Sequence, residues 1–156
     1  MAIKTIFIIG CGKLKNSEAC EARDMYRGQL FKSARAYAES TPDSCYFILS
    51  AKHGLIEPER VISPYDETIK GSAASLDRAA TKCLRTGRKV RQVLADNPDC
   101  KVVLLCGKNY CAAFHAANIL SWVSPRVSRP LEGMGIGQRL AWFAGKVKNV
   151  GQLCLF

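Results

Sequence analysis

The segment LSAKHGLIEPERVISPYDETI, residues 49–69, gathers Lys52, His53, Glu57, Glu59, Arg60, Tyr65 and Asp66 beside two prolines and a glycine. His53 is of a type that exchanges a proton near neutral pH or donates to a base edge; before a glycine it is equally a turn residue. Asp66 follows Tyr65 and the corner fixed by Pro64. A carboxylate held there can orient a water, or it can cap a helix N-terminus. Tyr65 can stack on a base or close the core. A third carboxylate, Glu132, lies in PLEGMGIGQRLAWF (130–143) with Gln138 and Arg139, where three glycines suit either close approach to a ligand or a flexible loop. Asp66, His53 and Glu132 are therefore the catalytic candidates.

Phosphate chemistry is suggested by GCGKLKNS (10–17). It is neither a Walker loop nor a complete dinucleotide fingerprint. Backbone amides freed by glycine, together with Lys13 and Lys15, can still hold a phosphate; the alternative is a tight turn with solvent lysines. Cys11, Gly12, Lys13, Lys15, Ser50, Lys52, Tyr65, Asn109 and Tyr110 form the expected substrate-binding set. Arg78, Lys82, Arg85 and Lys89 repeat at helical spacing, and Arg88 and Arg91 add charge with only Asp77 interrupting. That face, joined by Arg139, is expected to contact a nucleic-acid backbone; an ordinary solvated face is the alternative.

These residues need a scaffold. TIFIIG (5–10), CYFILS (45–50) and KVVLLCG (101–107) are apolar runs without polar alternation, the pattern of parallel strands covered on both faces. Helices are expected at 29–40, over a long amphipathic stretch at 72–98, at 109–123 and at 135–150, with a further short strand in VSPRVSRP (123–130). The alternation predicts one α/β domain over 1–156, three-layered, with a mainly parallel central sheet flanked by helices. In such sheets ligands sit beyond the carboxyl ends of the strands, where GCGKLK, SAKHGLIEP and CGKNY would bring three basic loops to one rim.

The chain has 23 Lys+Arg against 13 Asp+Glu, a formal net charge of +10 and a pI near 9.4. A surplus of this size suits a polyanion such as DNA or RNA, since each neutralised phosphate releases counterions; charge for solubility is the plainer alternative. The eight cysteines contain no C-x-x-C spacing and only two histidines accompany them, so a zinc site is not expected. Thiols inside apolar runs fit a reducing cytosol. The first apolar run is too short for a signal peptide, and no run is long enough to span a membrane.

The stretch ILSAKHGLIEPERVISPYDETIKG resembles the YaaA family, DNA-binding proteins of the peroxide stress response, and VVLLCGKNYCAAF is similar to that family's third strand and following turn. GCGKLKNS and the 49–71 stretch also resemble the central domain of archaeosine synthase, which belongs with the uracil-DNA-glycosylase-like folds. The order CGK, Y-x-G-x-L-F (26–31), SAKHGLI, PYD, PLEGMGIG is similar to a family of small bacterial and phage proteins without settled function. The resemblance implies a uracil-DNA-glycosylase-like fold. The Gly-Gln-Asp-Pro-Tyr-His signature of uracil-DNA glycosylases is not present in the chain.

The expectation is a DNA glycosylase that turns a modified base out of the stack and hydrolyses its N-glycosidic bond. Tyr65 or Tyr110 would stack on the base, His53 and Asn109 would read its edge, and Asp66 or Glu132 would serve the developing positive sugar. This chemistry needs no metal or redox cofactor. DNA is the expected partner, with no obligate protein partner, and the cytoplasm the expected compartment. A hypermodified phage base such as glucosylated hydroxymethylcytosine, and a role in phage defence, follow from the resemblance alone. Two alternatives stand beside this: a non-catalytic YaaA-like DNA-binding protein, and an enzyme of free nucleotides or deazaguanine bases.

Overall fold

The computed structural model describes residues 2–119 and 126–153, with side chains described through 147. Thr5–Gly10 (β1), Ser44–Ser50 (β3) and Lys101–Leu105 (β6) form where the three apolar runs predict. They pair in parallel, with β1 in the middle: Ile8 faces Phe47 on one side and Leu104 on the other. Their lack of polar alternation has a direct cause, since both faces of the sheet are covered. Ile6 and Ile8 pack with Leu49, Leu104, Val90, Leu94 and Phe114 in one core, whereas Phe7 and Ile9 pack with Ile48, Phe31, Ala34 and Phe143 in the other.

Gln29–Ser40 (α2) coincides with the helix expected at 29–40, and Ile136–Leu153 (α6) begins one residue after the expected start of the last helix. These two, with the single turn Ala22–Met25 (α1), lie against the Phe7 face. Ala73–Thr86 (α3), Arg88–Asp96 (α4) and Lys108–Ala116 (α5) contribute to the Ile6 face. The architecture is α/β, with a five-stranded, mostly parallel sheet between helices. Arg126–Ser128 (β7) supplies the further short strand, parallel to β6.

Two elements depart from the sequence expectation. The stretch 72–98 is two helices, because Gly87 ends α3 and starts α4; a Cβ there would sit 2.8 Å from the Cys83 carbonyl oxygen and 3.0 Å from Ile119. The repeat from Arg78 to Lys89 is therefore not one continuous face, since Arg88 and Lys89 follow the break. The helix expected over 109–123 ends at Ala116, with Asn118 in the left-handed region at φ 51° that commonly terminates helices. Residues 120–123 of that expectation, and Cys154, lie outside the described residues.

The strap after β3 turns back as Gly54–Ile56 (β4), antiparallel to the end of β3, with Leu55 opposite Leu49. Gly54 has φ +76°, and a Cβ there would collide with Thr86 and lie 2.8 Å from the Lys82 carbonyl oxygen. Only glycine fits both constraints. Val61–Ile62 (β5) then pairs with Cys20–Glu21 (β2) in a two-stranded ribbon. Among the described residues no helix is long and apolar enough to cross a membrane.

The parallel strands, numbered in chain order, lie second, first, third, fourth across the sheet. The connections from β1 to β3 and from β3 to β6 leave on opposite sides of β1. The crevice beyond the carboxyl ends of β1 and β6 is thus a topological switch point, the position where sheets of this kind bind ligands.

Candidate functional site

A cavity of about 450 Å³ opens at that switch point. Its floor is the ends of β1 and β6, with Ile9, Gly10, Leu105 and Cys106. A Cβ on Gly10 would stand 2.8 Å from the Cys106 Cβ, so glycine allows the two strand ends to meet this closely. One wall is the first turns of α2, with Leu30, Phe31 and Ala34; the other is α6, with Leu140, Phe143 and Arg139. Gly28, the N-cap of α2, has no side chain to cap the helix, so the first N–H groups beside the cavity lack a side-chain acceptor.

The walls are apolar and the mouth is not. The cavity's polar lining is Lys13 and Gln29, both exposed, with the half-buried Tyr110 and Arg139. Arg139 is held by a 3.0 Å hydrogen bond from its Nε to the Met134 carbonyl. Leu14 and Ile136 also border the opening and are 66% and 69% exposed. An apolar side chain that exposed, set between two lysines, is not explained by core packing.

Cys11, Gly12, Lys13 and Tyr110 of the expected substrate-binding set line this cavity, and so does Arg139, which was expected among the backbone contacts. The three basic loops do meet: the Cys11 N–H donates to the Leu49 carbonyl at 3.0 Å, and the Cys11 thiol lies 3.5 Å from the Tyr110 hydroxyl. Burial pushes the Tyr110 phenol up to about 12, so it stays protonated at neutral pH.

The strap residues serve differently. Tyr65 is half-buried; its hydroxyl accepts from Ser50 Oγ at 2.7 Å and shares a 2.7 Å hydrogen bond with Tyr26. Ser50 in turn accepts the His53 backbone N–H at 3.1 Å. Burial raises both phenols far above their ordinary value, so the chain of hydroxyls is fully protonated. One face of the Tyr65 ring is covered by the Lys15 ammonium, 4.5 Å from its centroid. Tyr65 thus pins the strap to the sheet, and Lys15 folds over it. Asn109 donates to the Ile69 carbonyl at 3.4 Å and ties the same strap to α5.

The His53 ring packs edge-on against Tyr65, centroids 5.5 Å apart, and its Nε2 is buried without a hydrogen-bond partner. Burial, aided by the cations of Arg60 and Lys52, lowers its pKa, so the ring is neutral at neutral pH. Lys52 is exposed at the turn.

The three catalytic candidates do not share a cavity. Asp66 is exposed and lines a second one of about 270 Å³, with Thr68, Lys70, Arg78 and Lys82. Glu132 lines a third of about 290 Å³, beside Arg129 at 3.9 Å. His53 borders neither of these nor the switch-point cavity. The cavities adjoin nonetheless. Thr68 of the second meets the Tyr110 hydroxyl of the first at 3.5 Å, and Arg139 and Cys106 line both the first and the third.

The expected backbone-contact set is likewise divided. Lys82 turns inward, donating to the Ala51 carbonyl at 3.1 Å and pairing with Glu67 at 3.4 Å; Lys89 pairs with Glu57 at 3.6 Å. Arg78, Arg85 and Arg88 are exposed and have no ion pair among the described residues. Sequence reasoning missed the cavity walls, Leu30, Phe31, Leu140 and Phe143, because apolar residues at helical spacing read as core. Leu14, flanked by Lys13 and Lys15, did carry a signal: a lone large apolar residue in a polar loop.

Among known proteins, the profile described as a family of unknown function, DUF6884, matches residues 6–145. Comparison with curated proteins and with solved structures returned no match. The matched stretch runs from β1 into α6 and so contains every wall of the switch-point cavity. On that extent of agreement, the chain belongs to the DUF6884 family.

Proposed function

We propose that the chain is a uracil-DNA-glycosylase-like enzyme that takes one modified base of DNA into the switch-point cavity and hydrolyses its N-glycosidic bond. The observation that carries this reading is the cavity itself: apolar walls for a planar base, lysine and arginine in its polar lining, and two exposed apolar side chains beside them. At about 450 Å³ the cavity is within the range of ordinary ligand cavities and leaves room for a base that carries a substituent. Lys13, Arg78, Arg85 and Arg88 supply phosphate contacts. Leu14, exposed between two lysines, is suited to fill the gap that an extruded nucleotide leaves in the duplex.

Asp66 is the carboxylate assigned to the developing charge on the sugar, because its cavity joins the base cavity through Thr68 and Tyr110. The apolar walls favour an alkyl or aromatic substituent over a hydroxyl-rich sugar; a glucosylated base would have to leave its sugar at the polar mouth. A role in phage defence rests on the resemblance alone, and the cytoplasm on the thiols set in apolar runs.

The test is incubation with duplexes carrying single modified bases, followed by assay for abasic sites. Cleavage of one class, reduced about 100-fold or more by Asp66→Asn with DNA affinity retained, is the expected result. Intact glycosidic bonds across the panel remove the enzymatic reading. One observation favours a second reading, a non-catalytic DNA-binding protein: Asp66, His53 and Glu132 occupy separate places. It predicts DNA binding untouched by Asp66→Asn and lost on removal of Arg78, Arg85 and Arg88. The free-nucleotide alternative predicts tight mononucleotide binding with little salt-sensitive affinity for DNA.

A further inference from the structure

Cys106 ends the β6 run and Cys111 is the fourth residue of α5, and their Sγ atoms lie 3.3 Å apart. Closing that contact to a disulfide bond needs about 1.2 Å of approach. Both thiols line the cavity of about 290 Å³ that also holds Lys108, Arg129, Arg139 and Glu132. Three cations thus share the cavity with two sulfurs against one carboxylate, and that carboxylate is mostly turned to Arg129 and solvent. A hydrogen bond from Cys106, with the charges of Arg129 and Arg139, pulls the Cys111 thiol down to about 7 despite its burial, while Cys106 is pushed up and keeps its proton. The other core thiols differ: burial raises Cys45 to about 11 and Cys83 to about 12.

We infer that Cys106 and Cys111 form a redox-active dithiol site whose substrate is a small hydroperoxide. The cavity admits a molecule of that size and the cations favour the attacking thiolate. The Cys111 thiolate attacks the peroxide: an S–O bond forms, the O–O bond breaks, and the departing alkoxide or hydroxide takes a proton from water. Cys106 then attacks the sulfenic sulfur. An S–S bond forms, the S–O bond breaks, and the leaving hydroxide combines with the Cys106 proton as water. Two thiols have lost two electrons, and one peroxide has become an alcohol, or water, plus one further water. This inference is independent of the nucleic-acid reading. Cys106 also floors the base cavity and Cys111 adjoins Tyr110, so the bridge would form in the wall of that cavity.

The chain contains its own control. Cys11 and Cys20 are more exposed than Cys106 and Cys111, so oxidation governed by exposure alone reaches them first. The intact protein is treated with one equivalent of hydrogen peroxide, and its cysteines are mapped by peptide mass spectrometry over time. The expected result is a Cys106–Cys111 disulfide forming about tenfold faster than oxidation of Cys11 or Cys20. In Cys106→Ser, a sulfenic acid on Cys111, captured by a dione reagent, is expected instead. Cys11 or Cys20 oxidised first, or Cys106 and Cys111 remaining as thiols while others react, overturns the inference. The order of oxidation is read in wild-type protein, so a folding defect in the variant does not alter it.

Discussion

The strap from Ser50 to Lys70 and the cavity between β1 and β6 are built on opposite plans. The strap is crowded with side chains able to do chemistry, yet it is held by a few neutral contacts, several of them from outside it: Ser50 and Tyr26 on the Tyr65 hydroxyl, Thr86 on the Leu55 amide, Asn109 on the Ile69 carbonyl. The cavity is lined chiefly by leucine, isoleucine and phenylalanine side chains alternating with glycine, cysteine and alanine, with few polar groups. Outside β4 and β5 the strap must satisfy its backbone and polar groups one at a time, and that takes polar side chains. A binding cavity with rigid walls can be formed by the same residues that make the core. Strand order, and not the density of reactive residues, is what locates the cavity.

The largest effect that sharpens this contrast is at Gly54. Gly54→Ala forces a side chain into a left-handed conformation and against the Lys82 carbonyl, and is expected to cost about 2–4 kcal/mol in urea unfolding. A loss below about 0.5 kcal/mol would mean that the strap is not held as described. Next is Tyr65→Phe, which leaves the buried Ser50 and Tyr26 hydroxyls short of a partner and is expected to cost about 1–3 kcal/mol. If Tyr65 were instead a free stacking platform, the same change would leave stability unaltered and weaken nucleic-acid binding.

On the cavity side the pattern reverses. Leu14→Ser changes a 66% exposed residue and is expected to leave stability within about 0.5 kcal/mol of wild type. Its effect is expected in function: lower activity or affinity on duplex DNA, with single-stranded DNA nearly unaffected. Equal loss on both would argue against a wedge.

The smallest effect is on pH dependence. His53 has a lowered pKa in the fold, so unfolding lets it bind a proton more readily. Its contribution is fully present above the unfolded value, near 6.5, and is lost as pH falls through the folded value. His53→Gln is expected to flatten the acid side of the stability profile below that point, as read by thermal unfolding from pH 7 to pH 5. His115, also lowered, supplies a remaining slope. An unchanged profile would show that His53 is as accessible to protons in the fold as outside it.

The sheet was legible because doubly covered strands leave unbroken apolar runs, and α2 because its buried positions recur at helical spacing. The break at Gly87 was hidden: charge and apolar periodicity continue through it, and the close approach of Cys83 and Ile119, which leaves no room for a side chain there, shows only in the fold. β4 and the β2–β5 ribbon were hidden by length, since strands of two or three residues show no period. Of the site, the glycine-lysine loop and Tyr110 could be named in advance because polar residues near strand ends stand out, and Arg139 because it follows a run of glycines. Leu30, Phe31, Leu140 and Phe143 could not, because what makes them a site is the gap they leave and not their type.

On the proposed function a nucleobase enters the switch-point cavity and not the polar pocket lined by Asp66 and Arg78. Methyl and amide NMR during titration with a short oligonucleotide carrying a modified base tests it most directly. The account predicts shifts at the methyls of Leu14, Leu30, Ile136 and Leu140, with the amides of 66–70 and Arg78 moving less. Shifts confined to Ile69, the 66–70 amides and Arg78, with the cavity methyls unmoved, would contradict it.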